Sequence, residues 1–379
     1  MKNIINYIVC SMLILGIAAC GDMYDVHEKY LKMGEETYLG IASDLEANSG
    51  FNRIELKWKL NADPRINASI ISGRSIINDY ISKIIDLPEG KYIFSIINKS
   101  ETGKESLIQT ISGEVYGSSY QAGLSAQGIN SMEATLSKGV TIKWAPMEGC
   151  TKTMFTYTNN EGSEKTITLM EGATTSIIPD AVLDTEFKVT SYFKPSEEAI
   201  DEIPSLEKVV SFPTYYTVSK EEWDEIHNQY IDVDRTGWGV EANTEELTGE
   251  GAVNGHKEAL IDGNLNTFWH SQWDGEGKNP PLPHIIIFDM QQTQNILSIE
   301  LARRQNNLDL KAVMFSISDD KENWTELGKL DFPNDKVPNA QIILLPKAIS
   351  GRYFRTTVTD SNNGVNASIA EIMFTMGKK

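Results

Sequence analysis

Apolar and polar residues alternate with a period of two in short runs along most of the chain, and clusters of Gly, Asn, Asp and Pro separate the runs. Ile54-Glu55-Leu56-Lys57-Trp58 and Val140-Thr141-Ile142-Lys143-Trp144 share one apolar-polar-apolar-Lys-Trp pattern. Tyr92-Ile93-Phe94-Ser95-Ile96 and Phe187-Lys188-Val189-Thr190-Ser191 follow later, each after a turn-rich leucine segment. Such runs predict half-buried antiparallel strands. Beyond residue 235 the pattern continues. Ile285-Ile286-Ile287-Phe288 is a continuous apolar strand, and Leu297 to Leu301 alternates, carrying the Leu297, Ile299, Leu301 face on to Arg303 and leaving Arg304 on the other side. Val313 to Ile317, Gln341 to Leu345, Tyr353 to Val358 and Ile369 to Met376 complete an all-β reading. The exception is Ser219-Lys220-Glu221-Glu222, a capping box that predicts a short helix to about Gln229.

The start of the chain has a different pattern. Lys2 precedes an apolar run from Ile4 to Ala19 that ends in small residues before Cys20. A charged start, a short apolar stretch and a small-residue cleavage point describe a signal peptide. The run is too short for a spanning helix, which needs about 20 residues. Cys10 departs with the signal peptide, which leaves Cys20 and Cys150 as the cysteines of the mature chain. The net charge of −19 opposes binding to nucleic acid, which requires a basic footprint.

The chemistry concentrates in Ala259 to Trp273. Asp262, Asn264, Asn266, Thr267, Ser271 and Gln272 supply side-chain oxygens among Phe268, Trp269, His270 and Trp273. Asp262-x-Asn264-x-Asn266 echoes the start of an EF-hand loop, but Thr267 replaces the obligatory Gly and Trp273 stands where the bidentate Glu belongs, so that reading fails. A loop of this composition suits a hard cation and a polar ligand rather than covalent catalysis. Sugars need paired donors and acceptors for their hydroxyls and a flat ring for their C–H faces.

Several segments carry resemblances. The small residues before Cys20 resemble a bacterial lipobox, which implies that Cys20 is lipidated and becomes the first mature residue. The acidic residues after it resemble the export signal of Bacteroidota surface lipoproteins. The two Trp-bearing stretches resemble fibronectin-type sandwiches, with Trp58 and Trp144 in their cores, and the pair resembles an uncharacterised N-terminal region of such lipoproteins. Asp234-Arg235-Thr236-Gly237-Trp238, Ile261 to Trp273, Leu282-Pro283-His284, Ser318 to Trp324, Gly351 to Arg355 and Ala370-Glu371-Ile372 occur in the order of a coagulation factor 5/8 C-terminal (discoidin-type) domain. Within that superfamily the stretch is most similar to family 32 carbohydrate-binding modules. The resemblance implies a structural Ca²⁺ held by Asp262, Asn264 (through its carbonyl), Thr267 and Glu371. It also implies a ligand site of Arg304 and Asn307, to which His270 and Trp273 add a hydrogen-bonding ring and a stacking face. Asp360 to Gly364 is expected on the same rim, and Trp269 in the core.

The expected organisation is a signal peptide at 1–19, a lipidated tether at 20–34 and fibronectin-III/immunoglobulin-like β-sandwiches at 35–122 and 123–217. A helical linker at 218–234 and a galactose-binding-like jelly-roll β-sandwich at 235–379 follow. The expected function is non-catalytic capture of a glycan or polysaccharide at the outer-membrane surface, with an outer-membrane glycan-uptake complex as a candidate partner. Two rivals stand. The last domain could grip a protein in adhesion or assembly. Glycoside hydrolysis needs only two placed carboxylates, although no His-Glu-x-x-His, Gly-x-Ser-x-Gly or phosphate-binding Gly-rich loop is present.

Overall fold

The computed structural model describes residues 37–71, 74–77 and 82–378; the expected signal peptide, Cys20 and the expected tether lie outside the described residues. Two compact units emerge, one formed by residues up to Tyr120 with Pro195–Glu202, the other by Gln121–Lys194 with Ile203–Lys379.

The first unit contains β1 (Ser43–Ser49), β2 (Arg53–Lys59), β3 (Ala68–Ile71), β4 (Arg74–Ile77), β5 (Ser82–Asp86), β6 (Gly90–Lys99) and β7 (Gln109–Val115). They form antiparallel sheets β1-β2-β5 and β4-β3-β6-β7. The period of two in β2 turns Ile54, Leu56 and Trp58 inward, where they meet Phe94 and Ile96. The segment 195–202 falls between strands of the second sandwich in sequence but belongs to this unit. Its Asp201 accepts a fork from the Arg53 guanidinium (Nε 2.9 Å, Nη2 2.5 Å) and a third bond from the Phe51 N–H at 2.9 Å.

The second unit begins with a sandwich of β8 (Ile129–Thr135), β9 (Gly139–Trp144), β10 (Cys150–Thr158), β11 (Glu164–Met170), β12 (Thr175–Ile178), β13 (Glu186–Phe193), β14 (Ile203–Pro204) and β15 (Lys208–Ser211). Its sheets are β12-β9-β8 and β11-β10-β13-β14, with β15 also on β13. Trp144 is buried against Phe155 and donates its indole N–H to Ser176 Oγ at 2.6 Å. The Cys150 thiol is free and buried.

The C-terminal domain contains β16 (Tyr216–Val218), β17 (Tyr230–Asp232), β18 (Gly239–Ala242), β19 (Trp269–His270), β20 (His284–Arg303), β21 (Leu310–Ser318), β22 (Thr325–Asp331), β23 (Ala340–Ser361) and β24 (Ser368–Gly377). The stretches at 285–288 and 297–301 are one strand, β20, and those at 341–345 and 353–358 are one strand, β23. β20 and β23 shift register between Asp289 and Gln294. On one side of the shift their paired halves lie between β18 and β21-β22; on the other they lie between β24-β17 and β16. The two layers of a jelly roll therefore share two long strands. A second shift between Ile296 and Ser298 breaks the expected parity. Ile296 joins Ile299 and Leu301 in the main core, while Leu297 turns to a smaller cluster with Trp223, Ile342 and Leu344. Such bulges re-aim side chains without ending the ladder.

The segment expected as a linker is part of this domain. Its helix α1 (Lys220–Ile226) has the complete capping box, and Ser219 Oγ accepts from Glu222 N at 3.2 Å. Trp223 is buried against Ile342 and Leu344, with β16 paired to β23 before the helix and β17 paired to β24 after it. A helix of this length is unstable alone, and burial of its tryptophan holds it on the sheet.

Candidate functional site

The loops beyond β19, β20 and the start of β24 meet at one end of the C-terminal domain. β19 pairs Trp269 with Ile369 and His270 with Ser368. Trp269 is fully buried and donates its indole N–H to Thr244 O at 2.8 Å, so it serves the core. His270 is also buried; its Nδ1 lies 2.6 Å from Ser271 O, and its Nε2 is 3.6 Å from Asp309 Oδ2. Nδ1–H therefore donates to that carbonyl, and Nε2 faces the Asp309 carboxylate. Asp309 also accepts from Asn307 Nδ2 at 2.9 Å, while Asn307 Oδ1 accepts from Asp309 N at 2.8 Å and Ser368 Oγ at 3.1 Å. Burial pushes the Asp309 carboxyl up, but the donors His270, Asn307 and Asn363 outweigh it and hold the group below its ordinary range. Ser361 Oγ and Asn362 N bond to Asp309 O at 3.0 and 2.8 Å, which seats the 360–364 loop against this cluster.

Trp273 and Arg304 meet through a residue not anticipated from the sequence. Glu250 Oε1 accepts from Trp273 Nε1 and from Arg304 Nη1, both at 3.1 Å. The Arg304 guanidinium lies 3.8 Å from the centre of the Phe268 ring, a cation–π stack that fixes its plane. Trp273 is 38% exposed and presents its indole to solvent. Asn307 N donates to Arg304 O at 3.2 Å, so both predicted polar residues sit on one tight turn. The four residues His270, Trp273, Arg304 and Asn307 are thus brought together.

A second unanticipated residue builds the platform under Trp273. Glu246 is 1% exposed. Its Oε1 accepts from Thr248 N (2.9 Å), Thr248 Oγ1 (3.0 Å) and Gly249 N (2.8 Å), and its Oε2 from Trp273 N and Asp274 N (both 2.8 Å). Burial alone would raise this carboxyl, yet the four backbone donors bring it down to about 2. Gly249 lets the indole approach: a Cβ there would lie 2.5 Å from Trp273 Cζ2.

The predicted calcium residues form an adjacent oxygen cluster. Thr267 Oγ1 is 2.7 Å from Asp262 Oδ2 and 2.8 Å from Asn264 O. Glu371 Oε2 accepts from Gly263 N at 3.1 Å, and its Oε1 meets the Arg235 guanidinium, which also donates to Ile372 O. Burial pushes the Glu371 carboxyl up to about 7, with Arg235 opposing and the Asp262 charge adding to the rise. Asp262, the Thr267 hydroxyl and the Asn264 carbonyl are oxygens of the kind a hard cation takes, while both Glu371 oxygens are engaged by the Arg235 guanidinium and the Gly263 N–H. The Asn264 side chain itself turns back to Asn266 N at 3.1 Å, leaving its carbonyl as the inward oxygen.

This order of strands and loops agrees with the family comparison. Residues 239–372 match the F5/8 type C domain family. Residues 20–203 match DUF4998, a domain of unknown function. Among curated proteins, a sialidase from Micromonospora viridifaciens is 27% identical over 137 residues, 35% of this chain and 20% of that enzyme. A galactose oxidase from Gibberella zeae is 34% identical over 71 residues, 18% of this chain and 10% of that enzyme. The chain therefore spans a fifth or less of the length of these relatives. Among solved structures, the C-terminal domain of a chitobiase from Bacteroides fragilis is 36% identical, with 39% of this chain and 100% of that one aligned at a TM-score of 0.35. The family 32 carbohydrate-binding module from C. perfringens NanJ, in complex with galactose, is 19% identical over 39% of this chain and 99% of that one, at a TM-score of 0.33.

Proposed function

We propose that the chain is a non-catalytic, lipid-anchored surface protein that binds carbohydrate through its F5/8 type C domain. The observation that carries this reading is the convergence, at one end of the jelly roll, of the solvent-facing Trp273 ring with the Arg304–Glu250 pair and the His270–Asp309–Asn307 chain. A sugar ring stacks its C–H face on the indole, while the guanidinium donates to its hydroxyls and the carboxylates accept from them. All of these side chains are prepositioned by one another, so little ordering entropy is lost on binding.

The oxygen cluster of Asp262, Asn264 O, Thr267 and Glu371 would hold Ca²⁺, whose role is to tie the 262–267 loop to β24 beside the ligand residues. Export and anchoring rest on the apolar run before Cys20, which would take the lipid. No helix among the described residues is long and apolar enough to cross a membrane. The net charge of −19 favours neutral glycans over nucleic acid. A place beside an outer-membrane glycan-uptake complex follows from this surface role. Catalysis by the sialidase and galactose oxidase is not carried over, because the similarity spans so little of either enzyme.

A protein ligand is the second reading, favoured by Leu247 and Val253, which are 58% and 64% exposed on the same loop as Glu250. Affinity electrophoresis against a panel of neutral and acidic polysaccharides separates the two. The carbohydrate reading requires at least one retarded migration, lost in Arg304→Ala; no retardation with any polysaccharide refutes it.

A further inference from the structure

A cleft of about 590 Å³ opens within the second unit, away from the Trp273 cluster. Its floor is the outer face of the jelly roll around Glu300, one side is β8 of the preceding sandwich with Glu133, and α1 contributes Lys220 and Glu222. Its remaining lining includes the apolar side chains of Leu265 and Val337. The size lies within the roughly 300–1,000 Å³ of ordinary ligand sites.

Three observations point to what it takes. First, Leu265 and Val337 are 46% and 73% exposed, so the cleft presents apolar side chains that no part of the second unit covers. Second, four carboxylates (Glu133, Glu221, Glu222, Glu300) face one ammonium, and Lys220 is already engaged at 3.1 Å by Glu300 and at 3.0 Å by Asp224. An anionic ligand would meet uncompensated negative charge. Third, both apolar walls adjoin, in sequence or through neighbouring side chains, the elements that hold the ligand cluster. Leu265 belongs to the Asp262–Thr267 loop, three residues before the Phe268 that stacks on Arg304. Val337 belongs to a loop held by Arg303, whose buried guanidinium donates to the carbonyls of Pro333 (3.1 Å), Asp335 (2.6 Å) and Pro338 (2.7 Å). Adjacent arginines thus fix the two places, Arg304 the cluster and Arg303 the cleft wall.

We infer that the cleft is a second saccharide subsite, which takes further uncharged residues of the same glycan chain. The inference rests on carbohydrate binding by the F5/8 type C domain. Leu265 and Val337 supply apolar contacts for sugar C–H faces, and the Glu133 carboxylate accepts hydroxyl protons. Affinity should therefore grow with chain length, because a second contact on one ligand acts as an intramolecular event.

The test uses the full chain and calorimetry with galactan, mannan, xylan and glucan oligosaccharide ladders, from monosaccharide to hexasaccharide. The expected result is a binding series whose affinity rises at least several-fold between the disaccharide and the longest member. Val337→Asp and Glu133→Lys, both on exposed positions, should remove that rise and leave the mono- and disaccharide affinity unchanged. Binding that does not depend on length, or a length dependence that both variants retain, overturns this subsite alone. No binding by any ladder overturns the parent reading as well, and a several-fold preference for the matching uronic-acid oligomers overturns the charge argument on which the subsite stands.

Discussion

Replacing Glu246 by Gln tests the platform under Trp273 at its most loaded point. The carboxylate receives backbone N–H bonds from Thr248, Gly249, Trp273 and Asp274 and is 1% exposed. An amide keeps the volume but turns an NH₂ toward two of these donors, leaving buried N–H groups facing another donor. The carboxyl is held at about 2, against an ordinary value of 4.5. A difference of that size corresponds to about 3 kcal/mol of stability at neutral pH. For a unit of this size that is about 6–12 °C in melting temperature. Because the folded value is depressed, the contribution is complete above the unfolded value near 4.5 and disappears as pH falls toward 2. Scanning calorimetry of the wild-type chain and Glu246→Gln at a series of pH values should show a constant gap in the C-terminal transition above pH 5. The gap should close progressively between about pH 4.5 and 2. A variant that melts with the wild type at pH 7, or a gap that does not change with pH, would refute the assignment of Glu246 as a charged anchor.

Three further outcomes follow from the same site. Trp273→Ala should abolish polysaccharide retardation while moving the melting temperature little, because surface truncations cost about 0.5 kcal/mol; a large loss of stability would make Trp273 structural. Gly249→Ala should weaken sugar binding at least several-fold with the fold retained, since the added methyl displaces the indole from 2.5 Å; unchanged affinity would show that the position of the ring is immaterial. Chelation should lower the melting temperature of the C-terminal transition, and Asp262→Ala should remove that response; a melt indifferent to both would eliminate the calcium assignment.

Much of the fold was readable from the chain because burial enforces a period of two. Trp58 and Trp144 lie in sandwich cores, and each predicted alternating run is a strand. What escaped was long-range. No local pattern says that 285–288 and 297–301 are one strand, since the residues joining them, Gln291 to Asn295, are polar and largely exposed. The shift at Ile296 moved Leu297 off the expected face for the same reason: a bulge is a property of a pair of strands, and parity counted along one strand cannot detect it. The helix that carries Trp223 escaped differently. Its seven-residue helix reads as a free spacer until Ile342 and Leu344, more than a hundred residues later, are brought beneath it.

The candidate site divides along similar lines. His270, Trp273, Arg304 and Asn307 were expected as ligand residues through the resemblance, and the structure brings them into one cluster. Glu246, Glu250 and Asp309 are three of 53 acidic residues, so composition cannot single them out. Their importance lies in what they accept. Glu246 terminates four backbone donors, Glu250 joins an indole to a guanidinium, and Asp309 stands between His270 and Asn307. One consequence separates the three. Glu246 is spent entirely on the protein, so its loss should unfold the loop before it changes sugar preference. Glu250 is bonded at one oxygen to Trp273 and Arg304, the two side chains proposed to meet the sugar, so Glu250→Gln should alter affinity with little change in melting. If both substitutions changed stability and left affinity untouched, the Trp273–Arg304 end of the domain would be scaffold, and protein binding through the loop bearing Leu247 and Val253 would become the better reading.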